Sequence, residues 1–311
     1  MRHKVIIDCD PGHDDALAII LAHHLTEVVG VTTVSGNAPL ADVTRNALAV
    51  LDLLGSQAPV HAGAAGPRIA PRDGQTPHAR RVHGDTGLGG SRLPVPSRSV
   101  AGDDAAGFLV EASQRHENVW LVAIGPLTNV AEAVERDPDI VRRLAGVSIM
   151  GGSTTGGNVT PAAEFNVWAD PESADVVFRS GADVRLCGLN LTHQLATSDA
   201  LLERLRRADG AKARFAADLL TFLHDRMQQL RGERRAALHD PCAVLAVTHP
   251  ELFEFASRPV AVELDGRLTR GMTVVDERFV SRDVRPAVDV AYRLDGTAAM
   301  ELMLSALEVT R

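Results

Sequence analysis

Short apolar runs alternate with longer segments of helical spacing through the first half of the chain. Residues 4–8 (KVIID) and 28–34 (VVGVTTV) are short and β-branched, as buried strands are, and each leads through a turn into a helical pattern, over about 14–24 and 40–54. Residues 119–124 (VWLVAI) likewise precede a helix over 128–135, and residues 147–150 precede a Gly-rich loop and a helix over Pro171–Arg179. Parallel strands need long crossovers, so this alternation predicts βαβ units: an α/β fold with one open, mostly parallel sheet flanked by helices on both faces. After the strand-like residues 184–187 the pattern changes to a helical stretch over about 198–230, strand-like runs at 259–264 and 272–276, and a last helix over about 297–309. Residues 63–99 and 151–165 are rich in Gly, Pro and polar residues and read as long loops, which in a compact domain usually carry function. No fixed-period repeat or linker divides the chain, so residues 1–311 are expected to form a single domain.

Composition narrows the class. With 45% hydrophobic and 23% charged residues the chain is too apolar for a disordered segment, and its 26 Gly, 16 Pro and 3 Cys are too few for a collagen or a disulfide scaffold. Cys9, Cys187 and Cys242 lack CxxC spacing and suggest buried, reduced thiols. The 32 Lys+Arg against 40 Asp+Glu leave a net charge of −8, which argues against nucleic acid as a partner. The densest basic stretch, residues 231–235, holds three Arg and one Glu and reads as a solvated loop. Only Val5, Ile6 and Ile7 separate Lys4 from Asp8, too few for a signal peptide, and no apolar run approaches the ~18 residues of a membrane span. A cytoplasmic protein with no membrane partner is expected.

The chemistry concentrates in Asp8-Cys9-Asp10-Pro11-Gly12-His13-Asp14-Asp15, directly after the first strand. Four carboxylates so close together repel one another when buried unless a cation joins them, and oxygen-only ligands select a hard ion, Ca²⁺ or Mg²⁺. Asp14 is also placed to cap the following helix. In an open parallel sheet, ligands bind where the strand C-termini share one edge. That edge gathers Asp8 and Asp10, then Ser35-Gly36-Asn37, Ile124-Gly125-Pro126 and Met150-Gly151-Gly152. Glu164-Phe165-Asn166, Asp170-Pro171-Glu172 and His239-Asp240-Pro241-Cys242 add polar groups, and Pro241 suits the first position of a helix.

Taken together, DCDPGHDDALAI, SGN, GPLTN, GGSTTGGNVTPAAEFNVWADPE and HDPCAV resemble the inosine-uridine preferring nucleoside hydrolases, in that family's order and over most of the chain. The resemblance implies a Ca²⁺ site made by Asp10, Asp15, Asp240 and the carbonyl of Ile124, with Asp8 supporting those ligands from behind. It further implies Asp10 as general base, Asp14 and Asn37 orienting water and the ribose 2′-OH, and Asn158, Glu164 and Asn166 holding the other ribose hydroxyls. His239 resembles the acid near the leaving base, and His83 lies in a loop on the base side. The implied activity is Ca²⁺-dependent hydrolysis of ribonucleosides to ribose and free base in nucleoside salvage or catabolism, by a homo-oligomer, dimer or tetramer.

One departure bears on the base. Between Leu219 and Leu238, where family members often supply aromatic residues, this chain has Phe222, His224, Arg226, Gln228 and Gln229 but no Tyr or Trp. His83, His224, Gln228 and Gln229 could hydrogen-bond a pyrimidine, so uridine or cytidine is expected over inosine. Two other classes compete. A DxD after a first strand also resembles the haloacid-dehalogenase-like phosphatases, but Pro11-Gly12 follows it here and GPLTN goes unexplained. A catalytically silent Ca²⁺ or nucleoside binding protein would keep the fold without turnover. The segments GDTGLGG and GGSTTGG lack the endings of phosphate-binding loops and read as turns.

Overall fold

A computed structural model describes residues 2–70, 77–91, 93–278 and 286–309. Its sheet has strands β1 (Lys4–Cys9), β2 (Glu27–Thr33), β3 (Val60–Ala62), β4 (Val119–Ala123), β5 (Gly146–Met150), β6 (Val184–Cys187), β7 (Phe253–Val262), β8 (Thr273–Val275) and β9 (Ala287–Leu294). The order is β3-β2-β1-β4-β5-β6-β9-β7-β8. Pairing is parallel from β3 through β9, and β7 runs antiparallel to both β9 and β8. The α/β class and mostly parallel sheet expected from the alternating pattern are therefore found.

Both faces of the sheet are covered, and the period-2 alternation of the strands assigns residues to them. Val5, Ile7 and Cys9 of β1 and Val122 of β4 join one core, with the helices His13–Leu25, Pro241–Thr248 and Gly296–Glu308. Ile6 of β1 and Leu121 and Ala123 of β4 join the other, with Ala105–Arg115, Thr128–Arg136 and Pro171–Arg179. The helix His13–Leu25 is unusual in being buried from His13 through Ala22. It packs against the helices Leu40–Leu53, Ala211–Arg231, Pro241–Thr248 and Gly296–Glu308, so it needs no polar face. Truncating one of its buried leucines, such as Leu17, to Ala should cost about 2–5 kcal/mol.

Several elements differ from the sequence expectation. The stretch 198–230 is two helices, Asp199–Arg207 and Ala211–Arg231, broken at Gly210, whose φ of 111° suits only glycine. The short β3, the helix Ala105–Arg115 and β9 were not expected: three residues of strand are below the length a pattern needs, and β9 follows residues outside those described. The run at 259–264 is the second half of the longer β7. Within the long loop 63–99 lies one helical turn, Arg80–His83. All three cysteines are buried and unpaired. Among the described residues, no helix is long and apolar enough to cross a membrane.

What this topology does for function is place a crevice. Chain order reverses at β1, which lies between β2 on one side and β4 on the other. Loops leaving β1 and β4 depart in opposite senses there, and the strand ends are level: Asp8 pairs with Ala123, and the Ile124 amide donates to the Asp8 carbonyl at 2.8 Å.

Candidate active site

Asp8 is the last residue but one of β1 and has no exposed surface. Its Oδ1 accepts from Thr32 Oγ1 at 2.6 Å and from Asn129 Nδ2 at 2.8 Å, while Oδ2 has no partner among the described residues. Burial pushes this carboxyl up to about 7, against the pull of those two donors. Asn129, from the GPLTN segment, also donates to the Thr33 carbonyl at 3.1 Å and accepts from the Ala64 amide at 2.9 Å, so one buried side chain ties three strand ends together.

Asp10 follows, equally buried. Its Oδ2 accepts from the Asn37 amide at 2.6 Å, and its Oδ1 is unpartnered. Two glycines make room for it: a Cβ on Gly36 would lie 2.1 Å from Oδ2, and one on Gly125 would lie 2.7 Å from Oδ1. The glycines of SGN and GPLTN are thus walls of a cradle for this carboxylate. Asn37 Nδ2 donates to the Asp10 carbonyl at 3.1 Å and to Asp15 Oδ2 at 3.0 Å.

The helix His13–Leu25 begins with a capping box in which Asp15, not Asp14, reaches back to the turn, its Oδ2 accepting from the Gly12 amide at 3.0 Å. The capping role expected for Asp14 therefore belongs to Asp15. Asp14 instead offers a carboxylate oxygen that lies with one from Asp15 and one from Asp240 within 4.8 Å of one another. Asp240 stands at the N-cap position of Pro241–Thr248 without making a side-chain cap. Burial and mutual repulsion push Asp10 and Asp240 well above the usual carboxylate range and Asp15 to about 6. Buried acids that no cationic side chain among the described residues offsets are what a hard cation satisfies, so the cluster fits a metal ion.

A cavity of about 520 Å³ opens above this floor, lined by Asp14, Asn37, Ile124 and Asp240 among others. Asn166 Nδ2 bridges the carbonyls of Ile124 (2.9 Å) and Met150 (3.1 Å). Glu164 caps the helix Phe165–Ala169, its carboxylate accepting from the amides of Gly152 (2.8 Å), Asn166 (3.0 Å) and Val167 (3.3 Å). Burial outweighs these donors and raises its pKa to about 7. Asn158 Oδ1 accepts from the Phe165 amide at 2.9 Å. All three line the cavity.

Across the cavity stand histidines. His83 Nδ1 accepts from the His13 amide at 3.3 Å, and His13 stacks on Phe222 with ring centroids 5.1 Å apart. The loop carrying His83 is bound to the floor by Asn46, whose Nδ2 donates to the carbonyls of Pro11 (3.0 Å) and Thr86 (2.7 Å). His239 Nδ1 lies 2.7 Å from Thr192 Oγ1, and its ring meets His193 edge-on. Burial lowers His83 to about 3 and His239 to about 4, so both rings are neutral near pH 7.

The residues proposed from sequence to meet the base are not brought together. His224 is buried within the protein, bound to Thr197 Oγ1 at 2.7 Å and facing Asp199, while Gln228 and Gln229 are exposed outside the cavity. The helix Ala211–Arg231 presents Leu223, Met227, Leu230 and Arg231 instead. Phe165 and Trp168, outside the 219–238 segment, supply the aromatic lining. Trp168 is four residues beyond Glu164, one turn along the same short helix, which is the signal that could have found it. Nor is the basic stretch 231–235 simply a solvated loop, since Arg231 and Arg235 line the cavity.

A crevice at the reversal of a parallel sheet, floored by clustered acids and walled by amides and neutral histidines, is a site for a polyhydroxylated ligand, the class that hydrolases of sugar derivatives occupy. The family model described as "Inosine-uridine preferring nucleoside hydrolase" matches residues 5–301, and the chain belongs to that family of ribonucleoside N-glycosidases. It is 39% identical to an inosine-uridine preferring nucleoside hydrolase of Crithidia fasciculata, covering 99% of this chain and 98% of the relative. It is 38% identical to the pyrimidine-specific ribonucleoside hydrolase RihA of Shewanella sp. (strain MR-7), over 99% and 97%. The solved purine-preferring ribonucleoside hydrolase from Gardnerella vaginalis superimposes with a TM-score of 0.91 at 30% identity, over 98% of each chain. The phosphatase alternative falls with this membership. The relatives' names differ in the base, so likeness alone does not choose one.

Proposed function

We propose that this enzyme hydrolyses the N-glycosidic bond of ribonucleosides with Asp10 as general base, as a cytoplasmic homo-oligomer, dimer or tetramer, serving nucleoside salvage or catabolism without nucleic-acid or membrane partners. The carrying observation is the unpartnered, buried Oδ1 of Asp10, held in a glycine cradle beside the acid cluster. Ca²⁺ is the ion we propose for this all-oxygen set, held by Asp10, Asp15, Asp240 and the Ile124 carbonyl with Asp8 behind them; Asp15 and Asp240 belong to the clustered acids, and a bound ion would neutralise them and supply Lewis acidity toward sugar hydroxyls. The proximity of Asp14 to Asp15 and Asp240 supports a position for it beside that ion.

Cleavage of the bond develops positive charge on the sugar ring and demands a water delivered to one face. Asp10 takes the proton of that water, oriented by Asn37 and Asp14. Asn158, Glu164 and Asn166 hold the remaining ribose hydroxyls, Glu164 having its carboxylate aimed by three backbone amides. His239, beside Thr192, and His83 face the departing base, His239 as its acid, a role that requires its ring, neutral in the free protein, to take up a proton once substrate is bound. The helix face of Leu223, Met227 and Leu230 offers aliphatic packing and no ring, and the Phe222 ring is already stacked on His13, which favours the smaller pyrimidine over a purine.

The test is release of free base from uridine, 2′-deoxyuridine and inosine, before and after metal removal by chelator, with elemental analysis of the purified protein. Uridine should be cleaved best, deoxyuridine poorly, and chelation should abolish turnover. No cleavage of any ribonucleoside would establish the silent-homologue reading. An inosine preference above about tenfold would sink the pyrimidine preference, which amounts to losing about 1.4 kcal/mol of discrimination. Full activity with no divalent ion present would remove the metal.

A further inference from the structure

Three guanidinium groups stand at the mouth of the cavity without partners among the described residues. Arg81 comes from the helical turn Arg80–His83, while Arg231 and Arg235 come from the end of the long helix and the segment after it, and all three line the cavity. Among the described residues none of them hydrogen-bonds or pairs with a carboxylate. Arg234, between the last two, shows the ordinary alternative: it turns away and binds Asp225 at 2.6 Å and Asp199 at 3.4 Å. The acids that line the cavity, Asp14, Glu164 and Asp240, are buried in its floor and wall, and Glu233 is not among the lining residues. A protein of net charge −8 has therefore left its cavity mouth cationic.

Where that charge lies decides what it can meet. Arg81 stands two residues before His83, Arg235 four residues before His239, and Arg231 ends the helix that lines the cavity with Leu223 and Met227, so the three belong to the histidine side, where the proposed pose puts the base. We propose that the enzyme accepts ribonucleosides whose base carries an anionic substituent, gripped by Arg81, Arg231 and Arg235; this rests on ribonucleoside hydrolysis at the site just described. Guanidinium suits such a group because it donates in a planar fork to a carboxylate and never loses its charge.

The experiment compares 5-carboxyuridine with 5-carbamoyluridine, which differ in charge but hardly in shape, and includes uridine and inosine. In the parent enzyme kcat/KM for the carboxylate should exceed that for the carboxamide by about tenfold at low salt, the scale of one charge-assisted contact. The preference should shrink toward unity as the Debye length falls from about 10 Å at 0.1 M to about 3 Å at 1 M salt. Arg81→Gln, Arg231→Gln and Arg235→Gln should each lower the carboxylate-to-carboxamide ratio by about threefold or more, and Arg231→Lys should restore part of it. A carboxylate cleaved no faster than the carboxamide overturns the proposal, as does a ratio indifferent to salt, a test that needs no variant. Equal losses on both substrates in the variants would assign the arginines a structural role and also overturn it. If uridine and inosine are turned over while the carboxylate is not preferred, only this inference fails; if no nucleoside is cleaved, hydrolysis itself has failed.

Discussion

Asp10 and Arg231 serve one cavity from contrasting situations. Asp10, beneath it, has no exposed surface, is walled by Gly36 and Gly125, and receives the Asn37 amide at 2.6 Å. Arg231, at the mouth, is exposed, ends a helix, and has no partner among the described residues. The floor is preorganised, its groups held before any substrate arrives, and electrostatics there act in a dry, low-dielectric setting. At the mouth, charge acts through water and is screened, which suits selection among substrates more than acceleration of the reaction. Floor substitutions should accordingly lower kcat across all substrates, whereas mouth substitutions should change the ratios between substrates.

The largest effect that tests this contrast is Asp10→Asn. The amide keeps the shape but cannot take a proton, so kcat should fall by about 10²–10⁴-fold for every ribonucleoside alike, while circular dichroism shows an intact fold. A variant with undiminished kcat would remove Asp10 as base. Next comes Gly36→Ala, which touches no substrate. Its added methyl would stand 2.1 Å from Asp10 Oδ2 and must displace the carboxylate, and a displacement of that kind costs about 10²-fold in kcat/KM. Retention of activity in that variant would show that the cradle does not set the position of Asp10.

The smallest effect concerns the wall. The Glu164 carboxyl sits at about 7 in the folded protein against an ordinary value of 4.5, so the folded state holds its proton more tightly than the unfolded chain does. The stabilisation this gives is complete below the ordinary value and is lost as pH rises through about 7. Glu164→Gln does not titrate, so the Tm difference between the two proteins should change by about 2–4 °C between about pH 5 and about pH 8, moving in the variant's favour as pH rises. Parallel Tm curves over that range would mean that Glu164 does not titrate there.

The same contrast separates what was legible in the sequence from what was not. Asp8, Asp10, Asp14 and Asp15 fall within eight residues, from the end of β1 to the first turn of the helix that follows, and Asp240 precedes a Pro that starts a helix, so local chemistry and the strand-end rule bring them to one edge. The mouth is assembled from Arg81, Trp168 and Arg231, which are far apart in sequence, and from the rotation of one helix about its axis. That helix is polar along much of its length, so composition did not reveal that Leu223 and Met227 face the cavity while His224 turns inward to Thr197. The break at Gly210 was concealed because helical spacing continues on both sides of it. Asp15 taking the cap from Asp14 is a matter of one residue, finer than any pattern of hydrophobic spacing resolves.

The burial of the helix His13–Leu25 has a consequence for how the protein breathes. Asp14 and Asp15 are in its first turn, and the residues that follow, Ala16 through Ala22, are enclosed by four other helices. Amide protons along this helix can meet solvent only when those neighbours separate, which is an opening of the whole structure rather than of a flap or an end. Heat or denaturant should therefore extinguish turnover and tertiary structure at a common midpoint, whereas the turn that carries Arg81 has no buried residue of its own and can exchange its amides freely while the enzyme keeps working.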